Sequence, residues 1–323
     1  MAVIVESMTL RITRKKLEAL DICSFDLVDP QGSALPPFSA GSHIDVHVDE
    51  QTMRQYSLCN DVAENQRYHI AVLRDPAGRG GSRAVHDAVR EGDLLRVSAP
   101  KNHFPMVHDA RESLLLAGGI GITPLLCMAQ RLAVAGSAFA MHYCTRSEER
   151  TAFVERILHS AFSDQVTFHF DHSGESQKLD IQAQLSQTRA GAHIYVCGPT
   201  RFMDAVLGTA RANGWAEHQL RYEFFGAQVM KSEDDEAFEV KLASSGKVIT
   251  IPKDQTIVQA LAGTGIEIPM SCEQGVCDIC LTRVLEGEPD HKDSFLTPEE
   301  QAKNDQFTPC CSRAKSKRLV LDL

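Results

Sequence analysis

The chain has 323 residues, 43 % of them hydrophobic and 24 % charged, with a formal net charge of −10. Those values exclude a disordered, collagen-like or membrane-spanning chain and point to two or three globular domains. The acidic balance argues against a nucleic-acid partner: the Lys/Arg cluster between Arg313 and Arg318 reads as a solvated turn before a closing strand.

The N-terminal run carries Glu6 and no small-residue cleavage site, so it is not a signal peptide. Leu114–Ala129 is apolar, but three glycines and Pro124 interrupt it, so it is no membrane span. A cytoplasmic protein is expected.

Residues 1–104 hold short alternating runs separated by Gly, Pro and Asp turns, the pattern of an antiparallel β-barrel. In Ser42–Val48, Ile44, Val46 and Val48 point one way. His43, Asp45 and His47 point the other, which makes them the solvated side. One helix is expected over Arg83–Arg90, with Ser82 as its N-cap. Residues 105–226 alternate apolar strands with helices over Pro124–Ala135, Ala152–Leu158 and Phe202–Asn213. That is the signature of a parallel sheet wound with crossover helices. The acidic stretch 227–237 reads as a linker. Residues 238–323 follow as a third unit, with a strand pair, a short helix, a cysteine loop and closing strands.

Arg54, Tyr56 and Ser57 lie on one predicted strand, Arg54 and Tyr56 on the same face. Roughly twenty-five residues later, Gly80, Gly81 and Ser82 precede the helix, where free N–H groups and a hydroxyl can meet an anion. A cation, an aromatic wall and nearby donors are what a flavin needs. Either feature alone is ordinary packing; together they favour a flavin site.

Ser113–Leu126 reads as a strand, a glycine-rich turn and a helix start. Gly119 and Gly121 allow a backbone to approach a pyrophosphate, and Thr123 with Pro124 suits a first helical turn. The third glycine of the dinucleotide fingerprint is missing. Cys197, Gly198 and Pro199 end a second strand, where open α/β sheets bind ligands. Cys59, Cys127 and Cys144 read as inert core.

The sharpest signal is Cys272-x4-Cys277-x2-Cys280, followed by the pair Cys310 and Cys311. This is plant-type 2Fe–2S spacing, with three thiolates on one loop and a fourth arriving later. The 29 residues between Cys280 and Cys310 favour Cys310 over Cys311 as the fourth ligand. Zinc sites prefer pairs of C-x2-C units, which the chain lacks. A zinc-stapled binding module with no enzymatic activity is the rival reading.

SCEQGVCDIC and CCSRAKSKRLVLDL resemble the ferredoxin domain of the phthalate dioxygenase reductase and vanillate O-demethylase reductase family, and the resemblance extends over the whole chain. It implies an antiparallel β-barrel flavin domain, a parallel-sheet nucleotide-binding domain and a C-terminal β-grasp plant-type ferredoxin domain. The flavin would be FMN, its phosphate on Arg54 and the Gly80–Ser82 loop, its ring along Tyr56, Ser57 and the strand from Ala71 to Leu73. Thr123 and Cys197 would flank the nicotinamide of NADH beside Gly119, Gly121, Gly198 and Pro199. Phe225 would cover the flavin's other face. Asp171 would take a ribose hydroxyl and so favour NADH, whereas Arg146 would suit a 2′-phosphate. Cys272, Cys277, Cys280 and Cys310 would hold the cluster, with Asp278 in place of the relatives' small residue making its reduction harder. The implied activity is hydride transfer from NADH to FMN, then single-electron transfer through the cluster to the Rieske centre of a partner oxygenase. A haem monooxygenase or a soluble carrier is the alternative acceptor.

Overall fold

Alternation in the N-terminal segment becomes seven strands: β1 (Ser7–Ala19), β2 (Ile22–Val28), β3 (Ser42–His47), β4 (Met53–Ser57), β5 (Tyr68–Leu73), β6 (Leu94–Ser98) and β7 (Lys101–Asn102). The coordinates are a computed structural model. The structure describes residues 7–48, 53–76, 80–107, 109–171, 177–186, 190–225, 235–269, 275, 279–293 and 295–323. It divides into two units, Met1–Phe225 and Gly226–Leu323.

The N-terminal strands pair antiparallel in the order β4-β3-β6-β1-β2-β5, with β7 on β3. Every second side chain turns inward, so Leu10, Ile12, Phe25, Ile44, Tyr68, Ile70 and Val97 meet in one barrel core. Each such burial contributes about 1.5–3 kcal/mol. The helix α1 (Gly81–Ala88) begins two residues before the expected Arg83. Its N-cap is Gly80, held at φ 96, a left-handed conformation that glycine adopts without strain. Ser82 is not the cap. Its hydroxyl accepts the Asp75 N–H at 3.1 Å.

The outward face of β3 is also a correction. His43 and Asp45 are buried, at 4 % and 3 % exposure, rather than solvated. Lys101 on β7 reaches Asp45 at 2.6 Å, and Gln55 on β4 donates to it at 3.0 Å. Burial alone would raise the Asp45 carboxyl, but the bonds from Lys101 and Gln55 hold it below its ordinary range. The strand pattern showed alternation and could not show what lies over the polar face.

The middle segment forms β8 (Glu112–Gly118), β9 (Phe139–Thr145), β10 (Val166–Phe170), β11 (Ala192–Gly198) and β12 (Leu220–Phe224). They make a wholly parallel sheet in the order β10-β9-β8-β11-β12. Crossovers run through α2 (Ile122–Ala135), α3 (Val154–Leu158), α4 (Ile181–Leu185) and α5 (Thr200–Ala212). The chain winds outward from β8 in one direction, then in the other from β11. Adjacent strands that diverge in this way open a crevice at their carboxyl ends. The inner face of α2 packs with Ala40, Cys59, Ala71 and Phe104 of the barrel segment, so the two sheets share one core. Cys127 is part of it, and burial pushes its thiol well above the ordinary range; burial also raises the Cys144 thiol, to about 12. His169 on β10 meets His142 on β9 at 2.9 Å.

The second unit contains β13 (Phe238–Leu242), β14 (Val248–Ile251), α6 (Ile257–Ala262), β15 (Thr282–Glu286), β16 (Pro289–Asp290), α7 (Pro298–Gln301), β17 (Gln306–Phe307), β18 (Arg313–Ala314) and β19 (Arg318–Leu321). The main sheet runs β14-β13-β19-β15-β17, with β13 and β19 parallel at its centre. Thr256 and Gln259 form a reciprocal capping box that starts α6. Its residues Ile257, Val258 and Leu261 then bury against Val240, Ile251 and Leu319, completing a β-grasp arrangement. Among the described residues, no helix is long and apolar enough to cross a membrane.

Candidate functional site

The crevice at the diverging strands is built from glycine. A Cβ on Gly198 would lie 2.9 Å from the Gly118 Cα, so the ends of β8 and β11 approach as only unsubstituted backbone can. Gly121 is tighter still: its Cβ would stand 2.2 Å from the Cys197 carbonyl oxygen and 2.7 Å from the Gly198 nitrogen. The sequence reading assigned Gly121 to pyrophosphate approach, and here it also lets α2 dock on the end of β11. Backbone cannot swing aside. Gly121→Ala is therefore expected to cost about 2 kcal/mol or more, the scale of overpacking a close contact, seen as a lower Tm by calorimetry.

Two strands deliver a second constellation. Cys197 on β11 stands opposite Glu223 on β12 in the parallel register. Ser57, at the end of β4, donates its hydroxyl to Glu223 Oε2 at 3.3 Å. Burial raises the Glu223 carboxyl to about 8, and the Ser57 bond offsets only part of that. Part of the Glu223 side chain still reaches the surface, but protein surrounds its carboxyl. Glu223 thus holds a proton at neutral pH beside Ser57 Oγ. Cys197 is fully buried, and burial followed by the neighbouring Glu223 keeps its thiol protonated. It is a shaped wall, with no thiolate to offer.

Sequence reading singled out Ser57 and Cys197 and missed Glu223. The signal was present: a lone carboxylate inside the aromatic run Tyr222-Glu223-Phe224-Phe225.

On the barrel side, Arg54 on β4 lies over Gly81 at the start of α1, where a Cβ would come 2.6 Å from Arg54 Nε. The absent side chain leaves room for the guanidinium at a helix N-terminus, an anion-favouring arrangement. Tyr56 Oη is buried and, among the described residues, has no hydrogen-bond partner. A buried hydroxyl without a partner costs about 1–3 kcal/mol, so Tyr56 fits a ligand that supplies one. Ala71 is buried on β5 and Leu73 half-buried at its end. Phe225 follows β12 and is 40 % exposed, available to cover a ring.

The remaining nucleotide residues divide. Thr123 is buried in the first turn of α2, its hydroxyl donating to the Ile120 carbonyl at 3.1 Å. Pro199 caps α5 with its fixed backbone. Asp171 follows β10, exposed, its N–H bonded to the Thr145 carbonyl. It stands at the same carboxyl edge, three strands from β11.

In the second unit, Cys280 and Cys310 are buried, at 2 % and 3 % exposure. Cys272, Cys277 and Asp278 lie outside the described residues. Gly275, between the first two of these, has φ 70, and a Cβ there would lie 2.4 Å from Cys311 Sγ. Cys311 Sγ also sits 3.3 Å from Thr308 Oγ1. Gly275, a residue of the cysteine motif, thus packs against Cys311.

A 2Fe-2S iron-sulfur cluster binding domain family matches residues 240–315, and an oxidoreductase NAD-binding domain family matches residues 115–207. Over 307 residues the chain is 54 % identical to vanillate O-demethylase oxidoreductase of Pseudomonas putida, covering 95 % of this chain and 96 % of that one. The structure titled phthalate dioxygenase reductase, a modular structure for electron transfer from pyridine nucleotides to [2Fe–2S], matches with TM-score 0.76 at 40 % identity over 98 % of both chains. An intact type IV self-sufficient cytochrome monooxygenase matches with TM-score 0.80 at 36 % identity, over 98 % of this chain and 41 % of that one. Motifs, sheets and end-to-end similarity agree: the chain belongs to the phthalate dioxygenase reductase and vanillate O-demethylase oxidoreductase family, NADH-dependent iron–sulfur flavoprotein oxidoreductases with FMN and a 2Fe–2S cluster.

Proposed function

We propose that this reductase passes electrons from NADH, by way of FMN and the 2Fe–2S cluster, to the Rieske centre of a partner aromatic-ring oxygenase or demethylase. The observation that carries this reading is the 54 % identity, along nearly the whole of both chains, to a vanillate O-demethylase oxidoreductase. Residues 1–104 would bind FMN, 105–226 NADH and 238–323 the cluster, with 227–237 between them. Thiolate ligands of this kind suit a reducing cytoplasm.

FMN, when bound, supplies the exchange between two-electron hydride and single electrons. The chain's own residues do the holding. Arg54 and the Gly80–Ser82 start of α1 would take the phosphate, and Tyr56 Oη, Ser57, Ala71 and Leu73 would line the ring. Gly119, Gly121, Gly198 and Pro199 would admit the nicotinamide nucleotide at the diverging strands, with Thr123 and Cys197 as walls and Asp171 on a ribose hydroxyl. Phe225 would shield the ring, and Glu223 with Ser57 would hold a proton beside it. Cys272, Cys277, Cys280 and Cys310 would carry the cluster.

Gly81→Ala tests the phosphate end. Its methyl would displace Arg54, and losing a charged hydrogen bond is expected to weaken FMN binding by about 1.5–3 kcal/mol, read by fluorescence titration of the apoprotein. Unchanged affinity would remove Arg54 from the site.

The acceptor is tested by mixing NADH-reduced protein anaerobically with a purified Rieske oxygenase and following the Rieske absorbance. Rapid stoichiometric reduction supports the reading. The similarity to the reductase portion of a self-sufficient cytochrome monooxygenase favours one alternative, a haem acceptor. Reduction of a haem monooxygenase but not of the Rieske protein would replace the first reading with that one.

A further inference from the structure

The segment between β16 and α7 is fastened to the cysteine-bearing loop. The Phe295 N–H donates to the Gly275 carbonyl at 2.9 Å. A Cβ on Gly275 would fall 2.7 Å from the Cβ of Asp293 and 2.8 Å from its Cα. Gly275 lies between Cys272 and Cys277 in the sequence, so Asp293 packs directly on a residue of the cysteine motif.

The Asp293 side chain is 0 % exposed. Its polar neighbours are donors. The Leu296 N–H reaches Oδ2 at 2.9 Å, Ser312 Oγ lies 3.4 Å from Oδ1, and His291 Nδ1 lies 3.3 Å from the same oxygen. A set of donors on both oxygens fits an ionised carboxylate. The neighbouring Lys292 turns away, to Asp235 at 2.8 Å and Asp290 at 3.7 Å. His291 is the counterpart, and its Nε2 is buried without a partner among the described residues. Among the described residues, the Asp293 carboxylate is therefore held out of water against Gly275, with the His291 imidazole beside it.

We propose that Asp293 is a tuning residue for the 2Fe–2S cluster: its buried carboxylate, tethered by His291, lowers the cluster's affinity for an electron. The cluster gains one electron derived from NADH, and no bond forms or breaks. Reduction makes it one charge more negative, and a nearby carboxylate screened poorly by water opposes that change. Such surroundings set cluster potentials as much as the ligands do. The inference rests on Cys272, Cys277, Cys280 and Cys310 as ligands.

The test is a potentiometric titration of the holoprotein, followed by the cluster's visible absorbance and electron paramagnetic resonance. In Asp293→Asn the reduced-to-oxidised ratio at a fixed potential is expected to rise about tenfold, which is a midpoint raised by about 59 mV for one electron. His291→Phe keeps the ring volume but strips a donor from the carboxylate, and the ratio is expected to fall. A purely structural pair would not give opposite signs. An unchanged ratio in a fully loaded Asp293→Asn, shifts of the same sign in both variants, or loss of the cluster from both would overturn the proposal. Wild-type protein that binds no cluster would instead overturn the ligand assignment beneath it.

Discussion

Glu223→Gln is expected to make the first unit more stable and the enzyme slower. Burial holds this carboxyl near 8, against an ordinary 4.5 in the unfolded chain. Between those values the native state keeps a proton that the unfolded state has released. Stability is therefore lost as pH rises through the window from about 4.5 to about 8, because the unfolded chain binds fewer protons. Glutamine carries no such penalty. One pKa unit is about 1.36 kcal/mol, and partial solvent contact reduces the gain to about 1–3 kcal/mol at pH 7.5. For a unit of this size, that is about 2–12 °C in Tm. The difference from wild type should vanish near pH 4.5. Turnover should fall about 100-fold, the low end of what a positioned proton-holding group contributes. Calorimetry across pH and steady-state NADH oxidation check the two halves. A variant that is less stable at pH 7.5, or fully active, would contradict this account of the Ser57–Glu223 pair.

Cys310→Ser and Cys311→Ser should separate sharply. The first removes a thiolate from the proposed ligand set, so the cluster's visible absorbance should be lost. NADH-driven reduction of a one-electron protein acceptor should fall by about 100-fold or more, beyond the ~10–100-fold that losing an outer partner of a metal site costs. NADH oxidation with a small dye that accepts electrons from the flavin should persist. Cys311 Sγ has Thr308 Oγ1 and Ser312 Oγ at 3.3 Å and 3.7 Å, so serine there keeps a polar contact and the cluster should remain. The reverse outcome would make Cys311 the fourth ligand. Iron content and absorbance decide it.

How much of this could be read beforehand follows from the range of each interaction. The cysteine spacing and the glycine-rich turn at Gly119–Gly121 are local patterns, legible because neighbouring residues on the chain must meet in space. The alternation behind the antiparallel strands β1–β7 and the parallel crossover sheet β8–β12 is equally local. Glu223 was not legible as a site residue, because its meaning comes from Ser57, 166 positions earlier. His43 and Asp45 failed for a similar reason: alternation separates two faces, but Lys101, 56 positions from Asp45, decides that the polar face is buried. The start of α1 moved because Gly80 can adopt a left-handed turn, a backbone property that outranked the side-chain cap expected of Ser82. His291 and Asp293 carried no motif signal at all. Their significance arises from packing on Gly275.

The most direct test of the electron relay is an anaerobic titration of the cofactor-loaded protein with NADH, followed by visible absorbance. Bleaching of both the flavin and the iron–sulfur bands is the result predicted, with the cluster reduced as NADH is consumed. Flavin bleaching with a cluster that stays oxidised in excess NADH would contradict the relay.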